Sequence, residues 1–150
     1  MQIAILALGC FWGPENKFSK LDGVIKTEVG YCGGNNSKTN YKEVCTGITN
    51  HAEVVKLRFD QNKISYEKIL EFFFEIHDPT TLNSQGPDFG TQYRSEIFFN
   101  NEEQKKIAEK IKKNLNKNFS GKITTNISKE KNYCRAEEYH QKYLGKKGFE

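Results

Sequence analysis

The chain has 150 residues and a mass of 17.3 kDa, which suits a single domain over residues 1–150 better than two smaller ones. Aromatic residues make up 13% of the sequence, and this amount of buriable apolar area excludes a disordered chain. The net charge of +4 is mild and comes from lysine rather than arginine, so it does not indicate nucleic acid as a partner. The longest apolar run falls far below the ~18 residues of a membrane helix, so we expect no membrane association.

The first half of the chain predicts strands alternating with helices. An apolar run at the N-terminus is typical of a central strand buried on both faces. Pro14 is tolerated in the first turn of a helix, so a helix is predicted to begin between Cys10 and Pro14. A polar, glycine-rich loop is predicted over residues 30–40. The three predicted strands of this half are residues 2–8, 24–29 and 52–59.

The second half continues the alternation. Ser65 is a suitable N-cap for a helix that Asp78 and Pro79 end. Asn100 is the predicted cap of a long helix with glutamates in its first turn. The predicted helices are residues 65–77, 101–118 and 136–144, the strands 95–99 and 122–128, the irregular segment 82–92 and the loose tail 145–150. This order favours an α+β fold, a mixed β-sheet covered by helices in a two-layer sandwich. No Gly-x-Gly-x-x-Gly or phosphate-loop motif supports nucleotide binding.

The four cysteines, Cys10, Cys32, Cys45 and Cys134, include no Cys-x-x-Cys pair. The first ten residues lack the positive region and the length of a signal peptide. We therefore expect a cytoplasmic protein whose cysteines are free, catalytic or metal-binding rather than disulfide-bonded. A zinc site made by the last three cysteines with His51 is an alternative, but its spacing matches no closed structural site, so we expect no metal.

Cys10 is the first candidate for chemistry. It lies where a predicted strand meets a helix N-terminus, whose N–H groups stabilise a thiolate and lower the pKa of the thiol. The thiolate is the nucleophilic form of cysteine. Phe11 and Trp12 follow immediately and can wall a small apolar pocket. The alternatives are an inert buried cysteine and two aromatic residues in the core of the first helix.

Polar residues near the two irregular segments add acid–base groups, and such segments are often binding or catalytic. Glu53 begins an apolar strand, where desolvation can keep a carboxyl protonated and able to act as a general acid. The alternative for Glu53 is a solvated strand edge. Tyr41 and Tyr93 can donate O–H bonds to a substrate oxygen or be ordinary half-buried tyrosines. His51 is either structural or, with Cys10 and a carboxylate, part of a cysteine hydrolase.

A lysine-rich stretch over residues 105–117 is interpreted as the solvated face of the long predicted helix. A basic RNA-binding module is the alternative function for this stretch. It is disfavoured because the stretch lacks arginine and exposed aromatic residues.

A series of short motifs resembles the A-type peptide methionine sulfoxide reductases. The motifs are collinear, extend from residue 3 to about residue 144, and are far more specific together than any one of them alone. They are Gly9-Cys10-Phe11-Trp12-Gly13, Gly30-Tyr31-Cys32-Gly33-Gly34, Tyr41-Lys42-Glu43-Val44-Cys45 with Gly47, His51-Ala52-Glu53, His77-Asp78-Pro79, Gly90-Thr91-Gln92-Tyr93-Arg94-Ser95 and Ala136-Glu137-Glu138-Tyr139-His140-Gln141.

The resemblance implies a single catalytic domain with a ferredoxin-like core. Enzymes of this family reduce the S epimer of methionine sulfoxide, free or in proteins, and so repair oxidised proteins under oxidative stress. Carried onto the matching positions, the resemblance implies that Cys10 is the nucleophile. It also implies that Phe11 and Trp12 form the pocket for the substrate methyl group.

The resemblance assigns the proton donors as well. Glu53 is the acid that protonates the sulfoxide oxygen, Tyr41 and Tyr93 assist it, and Asp88 helps to orient the site. No metal or organic cofactor is implied. The electrons come from a thiol, since the product on the nucleophile is a sulfenic acid that a second thiol must reduce.

The source of that second thiol is where the chain departs from its relatives. Many relatives carry resolving cysteines in a glycine-rich C-terminal tail, and this sequence has none there. We expect Cys134, Cys32 or an external thiol such as thioredoxin, glutaredoxin or glutathione to resolve the sulfenic acid, with Cys32 the least favoured. Cys45 is expected in the core. A monomer is expected, with oxidised proteins or free methionine sulfoxide as substrates.

Overall fold

A computed structural model of the chain describes residues 2–146. Its strands are β1 (Gln2–Leu8), β2 (Val24–Cys32), β3 (Ala52–Phe59), β4 (Ser84–Gln85), β5 (Asp88–Phe89), β6 (Ser95–Phe99), β7 (Asn126–Lys129) and β8 (Cys134–Arg135). Its helices are α1 (Trp12–Ser19), α2 (Tyr41–Cys45), α3 (Tyr66–Glu75), α4 (Glu102–Asn116) and α5 (Tyr143–Lys146), with 3₁₀ turns at Thr91–Tyr93 and Glu138–His140. Among residues 2–146, no helix combines the length and the apolar character that crossing a membrane requires.

One sheet organises the described residues. Its six strands lie in the order β7-β6-β1-β3-β2-β8, and β6 pairs with β7 in parallel while the other neighbours are antiparallel. The four inner strands, with α1 after β1 and α3 after β3, have the βαββαβ order of a ferredoxin-like core. The predicted α+β fold with a mixed sheet is therefore confirmed.

Both faces of the sheet are buried. Successive side chains of a strand point to opposite faces, so Leu6 and Leu8 of β1 join the large core beneath the helices, while Ile5 and Ala7 join a smaller cluster on the other face. This double burial explains why the first strand is apolar without alternation.

The two long helices begin within one residue of their predicted starts. The Ser65 hydroxyl accepts the backbone N–H of Lys68 at 3.1 Å. The cap of α4 is Asn101, whose side-chain oxygen accepts the N–H of Gln104 at 2.9 Å, rather than the predicted Asn100. Each cap satisfies one of the N–H groups that a helix start leaves without an intrahelical partner.

Two differences from prediction shape the functional end of the sheet. β2 continues to Cys32, because Tyr31 and Cys32 pair with Glu53 and Ala52 of β3, so the predicted loop starts later than residue 30. The short helix α2 has no counterpart among the predicted elements. Its cap is the Asn40 side chain, which accepts the N–H of Glu43 at 2.9 Å.

The C-terminal part differs more. The predicted helix over 136–144 is replaced by a 3₁₀ turn and the first half of α5. The predicted strand over 122–128 is the shorter β7, which pairs with β6 from Asn126 to Lys129. Gly145 and Lys146 of the predicted tail belong to α5. Residues 147–150 lie outside the described residues.

Candidate active site

Cys10 lies in the turn between β1 and α1. Gly9 makes this turn with a φ of +97°, and a Cβ there would approach the side chain of Gln85 to 2.9 Å, so the position requires glycine. The Cys10 side chain is half-buried, and its sulfur receives a hydrogen bond from the backbone N–H of Trp12. The thiol is thus held in place but remains accessible.

Packed aromatic rings adjoin this thiol. The Phe11 ring is buried and packs against His140 at 5.2 Å between ring centroids. The Trp12 ring stacks on Tyr143 at 3.8 Å. The indole N–H of Trp12 donates to Nδ1 of His140 at 3.1 Å, which fixes the plane of the indole. His140 and Tyr143 of the C-terminal segment therefore pack against these two rings, while Phe11 belongs to the large core and Trp12 packs against that core.

Glu53 lies at the end of an apolar row. Side chains of β3 alternate between the two faces, so Glu53 shares the helix-covered face with Val55, Leu57 and Phe59. Only 1% of its surface is exposed. The alternative of a solvated strand edge is therefore wrong, because this end of β3 lies beneath the turn that carries Cys10.

Two N–H groups hold the carboxyl group of Glu53. Oε1 accepts the backbone N–H of Phe11 at 3.2 Å, and Oε2 accepts the side-chain amide of Gln92 at 2.9 Å. Burial raises the pKa of Glu53 to about 7; these two hydrogen bonds lower it and the nearby charge of Asp88 raises it. The carboxyl group can therefore gain and lose a proton near neutral pH.

Tyr41, Tyr93 and Asp88 meet at the same place. Burial raises the pKa of Tyr93 to about 12 and also raises the pKa of Tyr41, so both phenols keep their O–H donors at neutral pH. The negative charge of Glu53 also raises the pKa of both tyrosines. The negative charge of Asp88, on β5, raises the pKa of Cys10, Glu53 and Tyr93. The hydrogen bonds and electrostatic contacts thus bring all seven residues that the resemblance placed in the reaction close together at one end of the sheet.

The protonation state of Cys10 differs from prediction. Burial raises its pKa to about 11; the Trp12 N–H opposes this, and the charges of Glu53 and Asp88 add to it. The predicted lowering is wrong, because one N–H at a helix start does not outweigh burial and two nearby carboxylates. Protonating Glu53 removes one of those charges, so ionisation of the thiol is coupled to protonation of the acid.

His51 does not contact the thiol. It is 1% exposed, and its Nε2 is bonded to the carbonyl oxygen of Asn36 at 2.9 Å. A Cβ on Gly34 would meet the imidazole at 2.1 Å, so the histidine packs closely under the glycine-rich loop. The cysteine hydrolase therefore lacks its base, and the structural interpretation of His51 is confirmed.

The other three cysteines occupy different surroundings. Cys32 is fully buried in the smaller cluster, on the face of the sheet away from the helices. Cys134 is half-buried on β8, with its sulfur 3.6 Å from the carbonyl oxygen of Thr39. Cys45, which we expected in the core, is exposed at the end of α2. Within residues 2–146 no three His, Cys, Asp or Glu side chains are grouped to hold a metal ion, so the zinc alternative has no geometric support.

Three further polar residues shape the site. Gln92 was indicated by its place near the second irregular segment, and Glu137 and His140 by their membership of the motifs. Gln92 binds Glu53, and His140 binds Trp12. Glu137 accepts the Tyr31 hydroxyl at 2.8 Å and the backbone N–H of Tyr41 at 2.9 Å. Their partners lie on distant segments of the chain, so spacing along the sequence gave each of them no individual role.

The fold and the site together define an α+β protein with a cysteine-centred site, in which a thiol lies between aromatic rings and proton donors. The sequence profile of the family described as peptide methionine sulfoxide reductase matches residues 2–149. A relative from Pelagibacter ubique (strain HTCC1062), named peptide methionine sulfoxide reductase MsrA, is 71% identical over 147 residues, which are 98% of this chain and 100% of the relative. A relative of the same name from Methanothermobacter thermautotrophicus is 48% identical over 95% of this chain and 86% of its own length.

Solved structures give the same result. The reduced form of Mxr1 from Saccharomyces cerevisiae superposes with a TM-score of 0.94 at 43% identity, covering 98% of this chain and 86% of Mxr1. Methionine sulfoxide reductase A of Corynebacterium diphtheriae gives a TM-score of 0.88 at 34% identity, covering 98% and 75% of the two chains. Mxr1 in complex with Trx2 gives 0.68 at 28% identity, covering 95% and 84%.

The chain therefore belongs to the peptide methionine sulfoxide reductase family. It is an oxidoreductase that reduces methionine sulfoxide, as its MsrA relatives at high identity indicate.

Proposed function

We propose that the enzyme reduces the S epimer of methionine sulfoxide, free or in proteins, through a sulfenic acid on Cys10. The observation that carries the proposal is the placement of an accessible thiol beside packed aromatic rings and a buried carboxyl group. A sulfoxide has a polarised S–O bond and a small apolar methyl group. Its reduction therefore calls for a soft nucleophile on sulfur, proton donors on oxygen and an apolar recess for the methyl group.

The first step transfers the oxygen atom. The Cys10 thiolate attacks the substrate sulfur while Glu53 protonates the sulfoxide oxygen, assisted by the hydroxyls of Tyr41 and Tyr93. The S–O bond of the substrate breaks and the oxygen ends on Cys10 as a sulfenic acid. The substrate sulfur is reduced by two electrons to methionine, and the cysteine sulfur is oxidised by two electrons.

The arrangement also favours one epimer. The sulfoxide sulfur carries a methyl group, an oxygen and the rest of the methionine side chain. If the methyl group enters the recess formed by Phe11 and Trp12 while the oxygen faces Glu53, only one hand of the sulfoxide directs its main chain to solvent. The family resemblance identifies this hand as S.

Recycling of Cys10 is proposed to use an external thiol. One thiol condenses with the sulfenic acid to give a mixed disulfide and water, and a second thiol releases Cys10 and forms its own disulfide. Burial of Cys32 on the opposite face of the sheet disfavours it as an internal partner, which leaves Cys134 and the exposed Cys45 as the internal alternatives. The solved complex of the relative Mxr1 with Trx2 supports a thioredoxin as the donor.

Electrons thus come from thiols, and the scheme uses no metal or organic cofactor. A thiol-dependent enzyme works where thiols are kept reduced, so we propose a cytoplasmic location. Its role there is repair of proteins oxidised under oxidative stress. Five large apolar side chains are exposed within residues 2–146, and this small number supports a monomer.

Two assays test the proposal. The protein is incubated with dithiothreitol and separately with the S and the R epimer of methionine sulfoxide. We expect methionine from the S epimer only, and none from Cys10→Ser. Turnover of both epimers alike, or by the Cys10→Ser protein, would contradict it. Thiols are then counted by mass spectrometry after one turnover without reductant, and loss of one thiol indicates an external donor whereas loss of two indicates Cys134 or another internal partner.

A further inference from the structure

Gln92 occupies a buried position between two groups of the site. It lies in the 3₁₀ turn Thr91–Tyr93 that links β5 to β6, and 5% of its surface is exposed. Its side-chain nitrogen donates to Oε2 of Glu53 at 2.9 Å and is 3.5 Å from the sulfur of Cys45. One amide group therefore connects the turn to β3 and to the end of α2.

Building on the proposed role of Glu53 as proton donor, we propose that Gln92 is a positioning residue for that reaction. Its amide holds Oε2 while the backbone N–H of Phe11 holds Oε1, so the carboxyl group keeps one orientation when it gives its proton to the substrate. Nothing in the family resemblance assigned a role to this glutamine.

The charges around Glu53 determine how much its carboxylate depends on the Gln92 amide. Five titratable groups of the described residues have electrostatic contact with Glu53: Cys10, Tyr31, Tyr41, Asp88 and Tyr93. None of these groups is a cation. The negative charge left on Glu53 after proton donation is therefore stabilised by N–H donors, and hydrogen bonds to a charged acceptor are stronger than those between neutral groups.

Gln92 is the donor that a side-chain substitution can remove, since the other is a peptide N–H. Its hydrogen bond lowers the pKa of Glu53 against the effect of burial. Gln92→Met fills a similar volume without a donor, so we expect it to move the titration midpoint of Glu53 upward by about one pH unit. We also expect kcat/KM to fall about tenfold as the carboxyl group loses its fixed orientation.

Two readouts separate positioning from a general structural role. The carboxyl carbon of Glu53 is titrated by NMR in protein carrying Cys10→Ser, which needs no turnover and so is independent of the proposed reaction. The pH profile of kcat/KM is measured with Cys10 present, and its midpoint near neutral pH should move upward by the same amount. Absence of activity in the wild type would contradict the proposed function, whereas the NMR titration still tests the link between Gln92 and Glu53.

Gln104→Met is the matched control. Gln104 is also buried, at 2% exposure, and its amide donates to the carbonyl oxygen of Ile3 at 2.8 Å, at the opposite end of β1 from Cys10. We expect this variant to leave the Glu53 midpoint unchanged. Gln92→Glu keeps the side-chain shape if the methionine variant does not fold, and its added charge should raise the midpoint further. An unchanged midpoint in a folded Gln92 variant, or an equal shift in Gln104→Met, would overturn the proposal.

Discussion

Glu53 and Cys10 together hold one proton between about pH 7 and pH 11. The pKa of Glu53 is about 7 and that of Cys10 about 11, so between these values the carboxyl is ionised and the sulfur is protonated. The reaction needs the same number of protons, but with the proton on the carboxyl and the charge on the sulfur. The reactive form, with a protonated carboxyl and a thiolate, therefore carries the same number of protons as the dominant form but is much less populated.

This distribution predicts the pH dependence of kcat/KM. Below the pKa of Glu53 a second proton binds the pair and the reactive arrangement is lost. We therefore expect kcat/KM for methionine sulfoxide to rise about tenfold per pH unit below about pH 7 and then to level off. Steady-state kinetics with dithiothreitol in excess provide the measurement. In Glu53→Gln the step near pH 7 should disappear, and a rate that falls between about pH 6 and pH 8 in the wild type would refute this account.

For single residues, the sequence predicted which side chains form the site better than it predicted their pKa values. The apolar run before Cys10 and the rings after it predicted the pocket, and the motifs brought Glu53 and the tyrosines to it. The pKa of Cys10 was wrong because it depends on burial by segments far along the chain and on carboxylates 43 and 78 residues away in sequence. Spacing alone does not show such neighbours.

The C-terminal segment is the element that completes the site. After β8, the carboxylate of Glu137 accepts hydrogen bonds from the Tyr31 hydroxyl and from the backbone N–H of Tyr41. Three residues later, His140 accepts the indole N–H of Trp12. Gln141 completes the attachment, with its side-chain oxygen accepting the backbone N–H of Val29 at 2.9 Å. This segment therefore stabilises the fold and the pocket together.

Glu137→Ala tests this attachment. The variant leaves the fully buried Tyr31 with an unsatisfied hydroxyl, so we expect the free energy of unfolding to fall by about 1–3 kcal/mol. Because α2 also loses its contact through Tyr41, kcat/KM should fall as well. Urea denaturation and the steady-state assay measure the two effects.

The neighbouring residue provides the control. Glu138 is exposed and pairs with Arg135 at the surface, so Glu138→Ala should change neither quantity measurably. Adding Tyr31→Phe to Glu137→Ala removes the orphaned hydroxyl and should restore part of the stability. If Glu137→Ala and Glu138→Ala changed the free energy of unfolding and kcat/KM equally, the attachment through Glu137 would contribute nothing specific to either quantity.

Elements with strong patterns were predictable, and those made by tertiary partners were not. The alternation in β3 and the capped amphipathic helices α3 and α4 were expected from the sequence. The helix α2 has five residues, and β8 has two; elements this short exist because of the segments they pack against. Asn40 in front of α2 is a local signal of a helix start, because its side chain caps the helix.

The whole molecule places its chemistry at one end of the sheet. The C-terminal end of β1, the start of β3 and the end of β2 meet there, as the pairing of Tyr31 with Glu53 shows. The loop with Asp88 and Tyr93 and the C-terminal segment cover this end from two sides. The order of strands in the ferredoxin-like core therefore brings together residues from five segments of the chain.

Buried histidines make the whole fold sensitive to acid. Burial lowers the pKa of His77 to about 4, and its ring nitrogens bond to the Phe73 carbonyl oxygen and the Ser95 hydroxyl. A histidine with a depressed pKa in the folded state stabilises the fold above its unfolded pKa, and this contribution is lost as the pH falls from about 6.5 towards 4. We expect Tm to decrease over this window.

A substitution identifies the group responsible. His77→Gln should lower Tm at pH 7 because it disturbs these hydrogen bonds, but Tm should then depend less on pH between about 6.5 and 4. Differential scanning calorimetry across this window measures both. The same pH dependence in the variant and the wild type would show that His77 does not contribute.

The central claim is that the sulfur of Cys10 takes the oxygen of methionine sulfoxide. Its most direct test is a single turnover without reductant, in which reduced enzyme is mixed with the S epimer in the presence of a sulfenic acid trap and analysed by peptide mass spectrometry. We predict one methionine per enzyme molecule and the trapped adduct, or a disulfide formed from it, on Cys10. Methionine formed while Cys10 remains an unmodified thiol would contradict the account.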